Sequence, residues 1–132
     1  MSTWLLRICI LLCLPSLVGR PNPGLNLVPG VPEVEIGEAS WYGPWHEGRT
    51  TASGEVFHMS RLTAAHPTWP LGSIVRVTSL RTGRTVVVRL NDRGPFVDSR
   101  VIDLSRAAAR KLDLVERGIE PVLLELLSAE PG

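Results

Sequence analysis

Two short runs near the middle of the chain limit its fold more than any other feature. Ile74-Val-Arg-Val-Thr78 alternates apolar and polar residues, and Thr85-Val-Val-Val-Arg-Leu90 is β-branched and apolar. Residues 79–84 between them form a polar stretch containing Gly83. Alternation sends one set of side chains to a core and the other to water, so the pair reads as a β-hairpin. Pro121-Val-Leu-Leu-Glu-Leu-Leu127 reads as a further strand, with its proline at the start, where no ladder donor is needed. One helix is indicated: Ser105 is a good N-cap, Arg106-Ala-Ala-Ala-Arg-Lys-Leu112 follows, and its basic residues sit at the favourable end of the helix dipole. Gly118 permits a sharp turn into the last strand. Short strands, one short helix and glycine-containing loops point to a mainly β domain closed into a small barrel.

The chain is 132 residues long, which is room for one domain. Residues 1–19 read as a signal peptide. They hold one basic residue, Arg7, then an apolar core, then Pro15 and small residues. That core is shorter than the roughly 20 residues a membrane helix needs, so no stable span is expected in the mature form. Residues 20–35 hold four prolines and two glycines and read as an extended tether, which leaves 36–128 for the folded domain. Cys9 and Cys13 both lie in the leader, so the exported body has no thiol for a disulfide or a cysteine zinc site. Cys13 raises the question of a lipid anchor, but Leu12 stands before it, where attachment wants a small residue.

Charge narrows the partners. Without Arg7 the body carries thirteen basic against thirteen acidic residues. That balance argues against nucleic acid, whose binders show a basic excess, and favours a ligand read by shape, stacking and hydrogen bonds. His46, His58 and His66, spaced 12 and 8 apart, make no metal-ligand pattern. Neither a metal nor another cofactor is expected, and nothing suggests more than a monomer.

Three side chains are candidates for chemistry. Asp92 stands at a strand end, where Gly94 and Pro95 make a tight loop able to hold a carboxylate at a groove rim; a turn-forming Asp, or one paired with Arg93, is the alternative. Glu55 follows Gly54 in a polar loop, as a second carboxylate or simply a solvated one. His66 ends Thr63-Ala-Ala-His66, able to orient a carboxylate or to sit satisfied in the core. Six of the seven aromatics lie between residues 41 and 96. Trp41, Tyr42 and Trp45 read as groove residues that stack on a ligand, whereas Phe57 and Phe96 read as core. Arg93 reads as a ligand contact or as the ion partner of Asp103.

Seven motifs occur in one order: Ala39-Ser-Trp-Tyr-Gly43, Gly48-Arg-Thr-Thr-Ala-Ser-Gly-Glu55, Leu62-Thr-Ala-Ala-His66, Pro70-Leu-Gly-Ser73, Val75-Arg-Val-Thr78, Asn91-Asp-Arg-Gly-Pro-Phe96 and Ile102-Asp-Leu-Ser105. Together they resemble the rare lipoprotein A family of septal-ring lytic transglycosylases, over about residues 36–127. The resemblance implies a six-stranded double-psi β-barrel, the fold of expansins and barwin-like proteins. It implies a bacterial envelope location, periplasmic or wall-associated, and peptidoglycan glycan strands as the partner. It also implies cleavage of the MurNAc–GlcNAc bond to leave 1,6-anhydro-MurNAc ends, with Asp92 as general acid/base assisted by Glu55 and His66. Pro67 stands where the family often has a basic residue. Two other activities suit such a barrel: a non-catalytic, expansin-like polysaccharide-binding module, and a hydrolase that activates water.

Overall fold

A computed structural model describes residues 33–129. Six strands form a ring: β1 (Val34–Trp41), β2 (Thr63–Ala65), β3 (Ile74–Ser79), β4 (Thr85–Asp92), β5 (Arg100–Leu104) and β6 (Glu120–Ser128). Helix α1 (Arg106–Lys111) stands between the last two. The barrel closes in the order β1-β5-β2-β4-β3-β6. The β1–β5 and β2–β4 pairs are parallel. The β1–β6, β2–β5, β3–β4 and β3–β6 pairs are antiparallel. Among the described residues, no helix is long and apolar enough to cross a membrane.

The central hairpin forms as its alternation requires. In β3 every second residue is buried, Val75 and Val77 among them, and β4 answers with Val86, Val88 and Leu90. Cross-strand pairing sets Val75 against Val88 and Val77 against Val86. The connecting turn closes with Ser79 N donating to Arg84 O (2.8 Å) and Gly83 N to Ser79 O (2.8 Å). Gly83 takes φ 77°, which a side chain would resist. Val122 and Leu124 of β6 complete this side of the core. Ser105 caps α1 as expected, its hydroxyl accepting from Ala108 N at 3.2 Å. The helix lays Ala108 and Ala109 inward, and buried Leu112 and Leu114 follow it.

β1 begins at Val34, so Val34 and Glu35, assigned above to the tether, are part of the barrel. Pro32 is the last proline of the tether, and beyond it the backbone has donors to pair with β6, Val34 against Glu125 and Glu35 against Leu124. The apolar pattern concealed this, because Val34 and Ile36 face outward, Ile36 being 68% exposed. The leader and the rest of the tether lie outside the described residues.

Candidate active site

β4 carries two different faces to the end of the barrel. Arg89 and Asn91 both turn to Glu55, while Leu90 between them is sealed in the core. Beyond Leu90 the pairing of β4 with β2 shifts register, and Asp92 there reaches a cleft of about 210 Å³. The rest of its wall comes from the segment after β1: Tyr42, His46, Arg49, Thr50, Thr51 and Phe57.

That segment is rigidly folded. Tyr42 N prolongs the β1–β5 pairing to Leu104 O (2.9 Å), and Pro44–His46 make one 3-10 turn. The chain then doubles back, with Phe57 N donating to Arg49 O (2.8 Å) and Thr51 N to Glu55 O (2.8 Å). Gly54, at φ 89°, makes the reversal possible. The hairpin is pinned to β4 where Ser53 N donates to Asn91 O (3.1 Å).

Asp92 is thereby held from three directions. Its Oδ1 accepts from Ala52 N and Arg93 N, both at 2.9 Å. Its Oδ2 accepts from the Tyr42 hydroxyl at 2.9 Å. A carboxylate offers about four acceptor sites, so Oδ1 is filled and one position on Oδ2 stays open to the cleft. Tyr42 itself leans edge-on against buried Phe57, with ring centroids 4.9 Å apart and 74° between planes. Burial first, and then the neighbouring Asp92 charge and hydrogen bond, hold its phenol well above the ordinary tyrosine range. It therefore stays a donor at any working pH. Because the chain has one tyrosine, the phenolate absorbance reads this group alone. The native protein is expected to show no phenolate one unit above the usual pKa of about 10, and Asp92→Asn to show it at lower pH than the wild type. A native midpoint near pH 10 contradicts the geometry.

Glu55 is drawn elsewhere. The Arg89 guanidinium grips it with two hydrogen bonds (2.7 and 2.8 Å), and Asn91 Nδ2 adds a third at 2.8 Å. These contacts, led by Arg89, lower its carboxyl to about 2. Glu55 is thus a fixed anion, with no proton to give near neutrality. It braces the hairpin against β4.

His66 also has a different task from the one its position suggests. The ring is 1% exposed. Its Nδ1 accepts from Thr68 N and Trp69 N (3.1 and 3.0 Å), so the proton lies on Nε2, which faces Glu35 Oε2 at 3.1 Å. The ring stacks on buried Trp69 with centroids 4.5 Å apart. With both nitrogens occupied and no exposed edge, His66 meets Asp92 only through the main chain, its N donating to Asp92 O at 3.1 Å. Arg93 ties the same turn, its Nη1 donating to His66 O and Trp69 O (3.2 and 2.6 Å). Its Nη1 is thereby turned to the protein's own carbonyls and not to a ligand.

The aromatic residues divide differently from the expectation in two places. Phe96 is 81% exposed, not core, because β4 ends at Asp92 and the chain leaves the barrel wall there. Trp41 is half-buried, its indole donating to Val115 O (3.2 Å), and it does not line the cleft. Trp45 stands 68% exposed beside His46. Asp103 pairs with Arg100 (3.2 Å) and accepts from the Ser40 hydroxyl, so Arg93 is not its partner. Sequence reasoning missed His46 and Arg49 in the cleft wall. Both belong to the segment joining β1 to β2, where local pattern says nothing about facing.

The profile of the lytic transglycolase family matches residues 34–124. The endolytic peptidoglycan transglycosylase RlpA of Campylobacter jejuni is 49% identical over 100 residues, 76% of this chain and 36% of the relative. The chain thus spans about a third of the length of that relative. Among solved structures, the Streptomyces papain inhibitor superposes with a TM-score of 0.59 at 29% identity, covering 70% of this chain and 93% of that one. The Clavibacter michiganensis expansin gives 0.59 at 23% identity, covering 76% and 53%, a likeness of fold alone. With its six strands closed in the same kind of barrel and the family profile running from the first strand into the last, the chain belongs to the lytic transglycolase family and has the double-psi β-barrel fold.

Proposed function

We propose that the protein is an exported enzyme of the bacterial cell envelope that cleaves the MurNAc–GlcNAc bond of peptidoglycan glycan strands as a monomer, with residues 1–19 as its export signal. The observation that carries this reading is the state of the carboxylates. Among the described residues the cleft holds one carboxylate, Asp92, oriented by three hydrogen bonds and open at one acceptor position. Glu55, the other candidate, is committed to Arg89 and lowered to about 2.

A single acid suits an intramolecular reaction. Glycosidases that use water ordinarily need two carboxylates, one to protonate the leaving oxygen and one to activate the nucleophile or to attack. In the proposed reaction, protonated Asp92 gives its proton to the bridging oxygen and the C1–O bond breaks. The sugar's own 6-hydroxyl attacks C1, and its proton returns to the Asp92 carboxylate. The product carries a 1,6-anhydro ring, and no water is consumed. Tyr42 and the two main-chain amides hold the carboxylate in place, and His66, Arg93 and Glu55 are positioning residues behind it. Trp45, exposed beside the cleft residue His46, offers a face for a sugar ring. The name of the Campylobacter relative supports the same substrate.

Digestion of peptide-stripped glycan strands, with products read by mass spectrometry, tests this. Anhydro-muramic ends are the expected result. Reducing ends with added water identify a hydrolase. Retained strand binding without any product identifies a binding module.

A further inference from the structure

The start of β1 is inside out. Val34 and Ile36 are exposed, so Glu35 between them turns its carboxylate toward the barrel. An acid facing inward between two outward apolar residues reverses the usual strand pattern. Its main chain is fixed there, paired with Leu124 of β6. What the carboxylate meets is the sealed ring of His66, whose Nε2 lies 3.1 Å from Glu35 Oε2. Two main-chain donors, Thr68 N and Trp69 N, converge on Nδ1 of that ring and fix it as an acceptor, which leaves the proton on Nε2. A buried N–H without an acceptor is costly, and among the described residues Glu35 is the acceptor this one has.

From the ring the contacts run on to the cleft. The 66–69 turn presents the His66 and Trp69 carbonyls to Arg93 Nη1 (3.2 and 2.6 Å). Arg93 N in turn donates to Asp92 Oδ1 at 2.9 Å, and His66 N donates to Asp92 O at 3.1 Å. One end of this chain of hydrogen bonds is anchored in β1 and the other in β4. We infer that Glu35 is a positioning residue for Asp92. It holds the His66 ring, the ring shapes the 66–69 turn, and the turn fixes Arg93 so that its amide meets the carboxylate. This rests on the glycan reading above, in which Asp92 moves the proton. Glu35 does not line the cleft and touches no substrate, so its loss falls on kcat and not on KM.

The test compares the full-length wild type, Glu35→Ala and Glu35→Gln on one preparation of peptide-stripped strands. Glu35→Ala is expected to lower kcat about tenfold, with KM within about twofold of the wild type. Glu35→Gln is expected to keep more than about half of the wild-type kcat, because Nδ1 stays the acceptor and the glutamine oxygen can take the Nε2 proton. An active wild type with Glu35→Ala within about twofold of its kcat, or with Glu35→Gln no better than Glu35→Ala, overturns the inference and leaves the glycan reading intact. A further measurement needs no variant to fold. In the wild type, nitrogen NMR of the imidazole is expected to place the His66 proton on Nε2, in slow exchange with water; a proton on Nδ1 overturns the inference as well. A wild type that releases no anhydro-muramic ends overturns the glycan reading, and the inference with it.

Discussion

Replacing Asp92 with asparagine is expected to lower the rate on stripped glycan strands about 100-fold or more, with the melting temperature nearly unchanged. The substitution is chosen to separate chemistry from architecture. An asparagine oxygen can still accept from Ala52 N and Arg93 N, the two bonds that fill Oδ1. The Tyr42 hydroxyl can rotate to accept from the new amide in place of donating to Oδ2. What is lost is a group able to give and retake a proton at the bridging oxygen. Initial rates measured on one strand preparation, beside circular-dichroism melting of both proteins, decide the matter. A folded variant that keeps more than a tenth of the wild-type rate removes Asp92 from the mechanism.

The largest stability effect is expected at Arg81, far along the sequence from the site residues of the first loop. Glu120 opens β6 and its side chain is fully buried. Arg81 Nε meets its Oε2 at 2.9 Å, and Arg81 Nη2 continues to Asp113 O at 2.9 Å. Removing Arg81, the part-exposed partner, leaves a fully buried carboxylate without its ion partner. Arg81→Ala is therefore expected to cost about 3 kcal/mol, which at ~4–8 °C per kcal/mol for a domain of this size lowers Tm by more than 10 °C. Adding Glu120→Gln removes the stranded charge and is expected to recover part of the loss. Thermal melts of the two single variants and the double variant give the coupling directly. A change in Tm below about 3 °C for Arg81→Ala means that the buried carboxylate is satisfied some other way.

The parts of the fold that could be read from the chain were those whose determinants lie close together in sequence. The hairpin of β3 and β4 announced itself through alternation, and α1 through the Ser105 cap. β2 did not, because its three residues, Thr63, Ala64 and Ala65, are all buried and show no alternation. Phe57 and Phe96 look alike in sequence and lie at opposite extremes of exposure, because one closes a hairpin and the other follows a strand end. The same division runs through the site. Asp92 was legible from its place after an apolar strand, helped by the resemblance. That Tyr42 donates to it depends on residues 50 apart, and that Glu55 is neutralised by Arg89 on residues 34 apart. For a related reason local sequence left two readings of His66 open. Its occupied nitrogens are a property of the 66–69 turn and of Glu35, not of any local motif.

Closure of the ring has a consequence for life at high density. Each of the six strands has a bonded neighbour on either side, so among the described residues no strand of the barrel is an edge along its whole length. Open edges of that kind are where sheet proteins zip into fibres. A barrel without them tolerates outward-facing Ile36, Val87 and Leu127, because greasy contact between two copies finds no open edge to lock it in place. Crowded copies of such a domain can collide and part again.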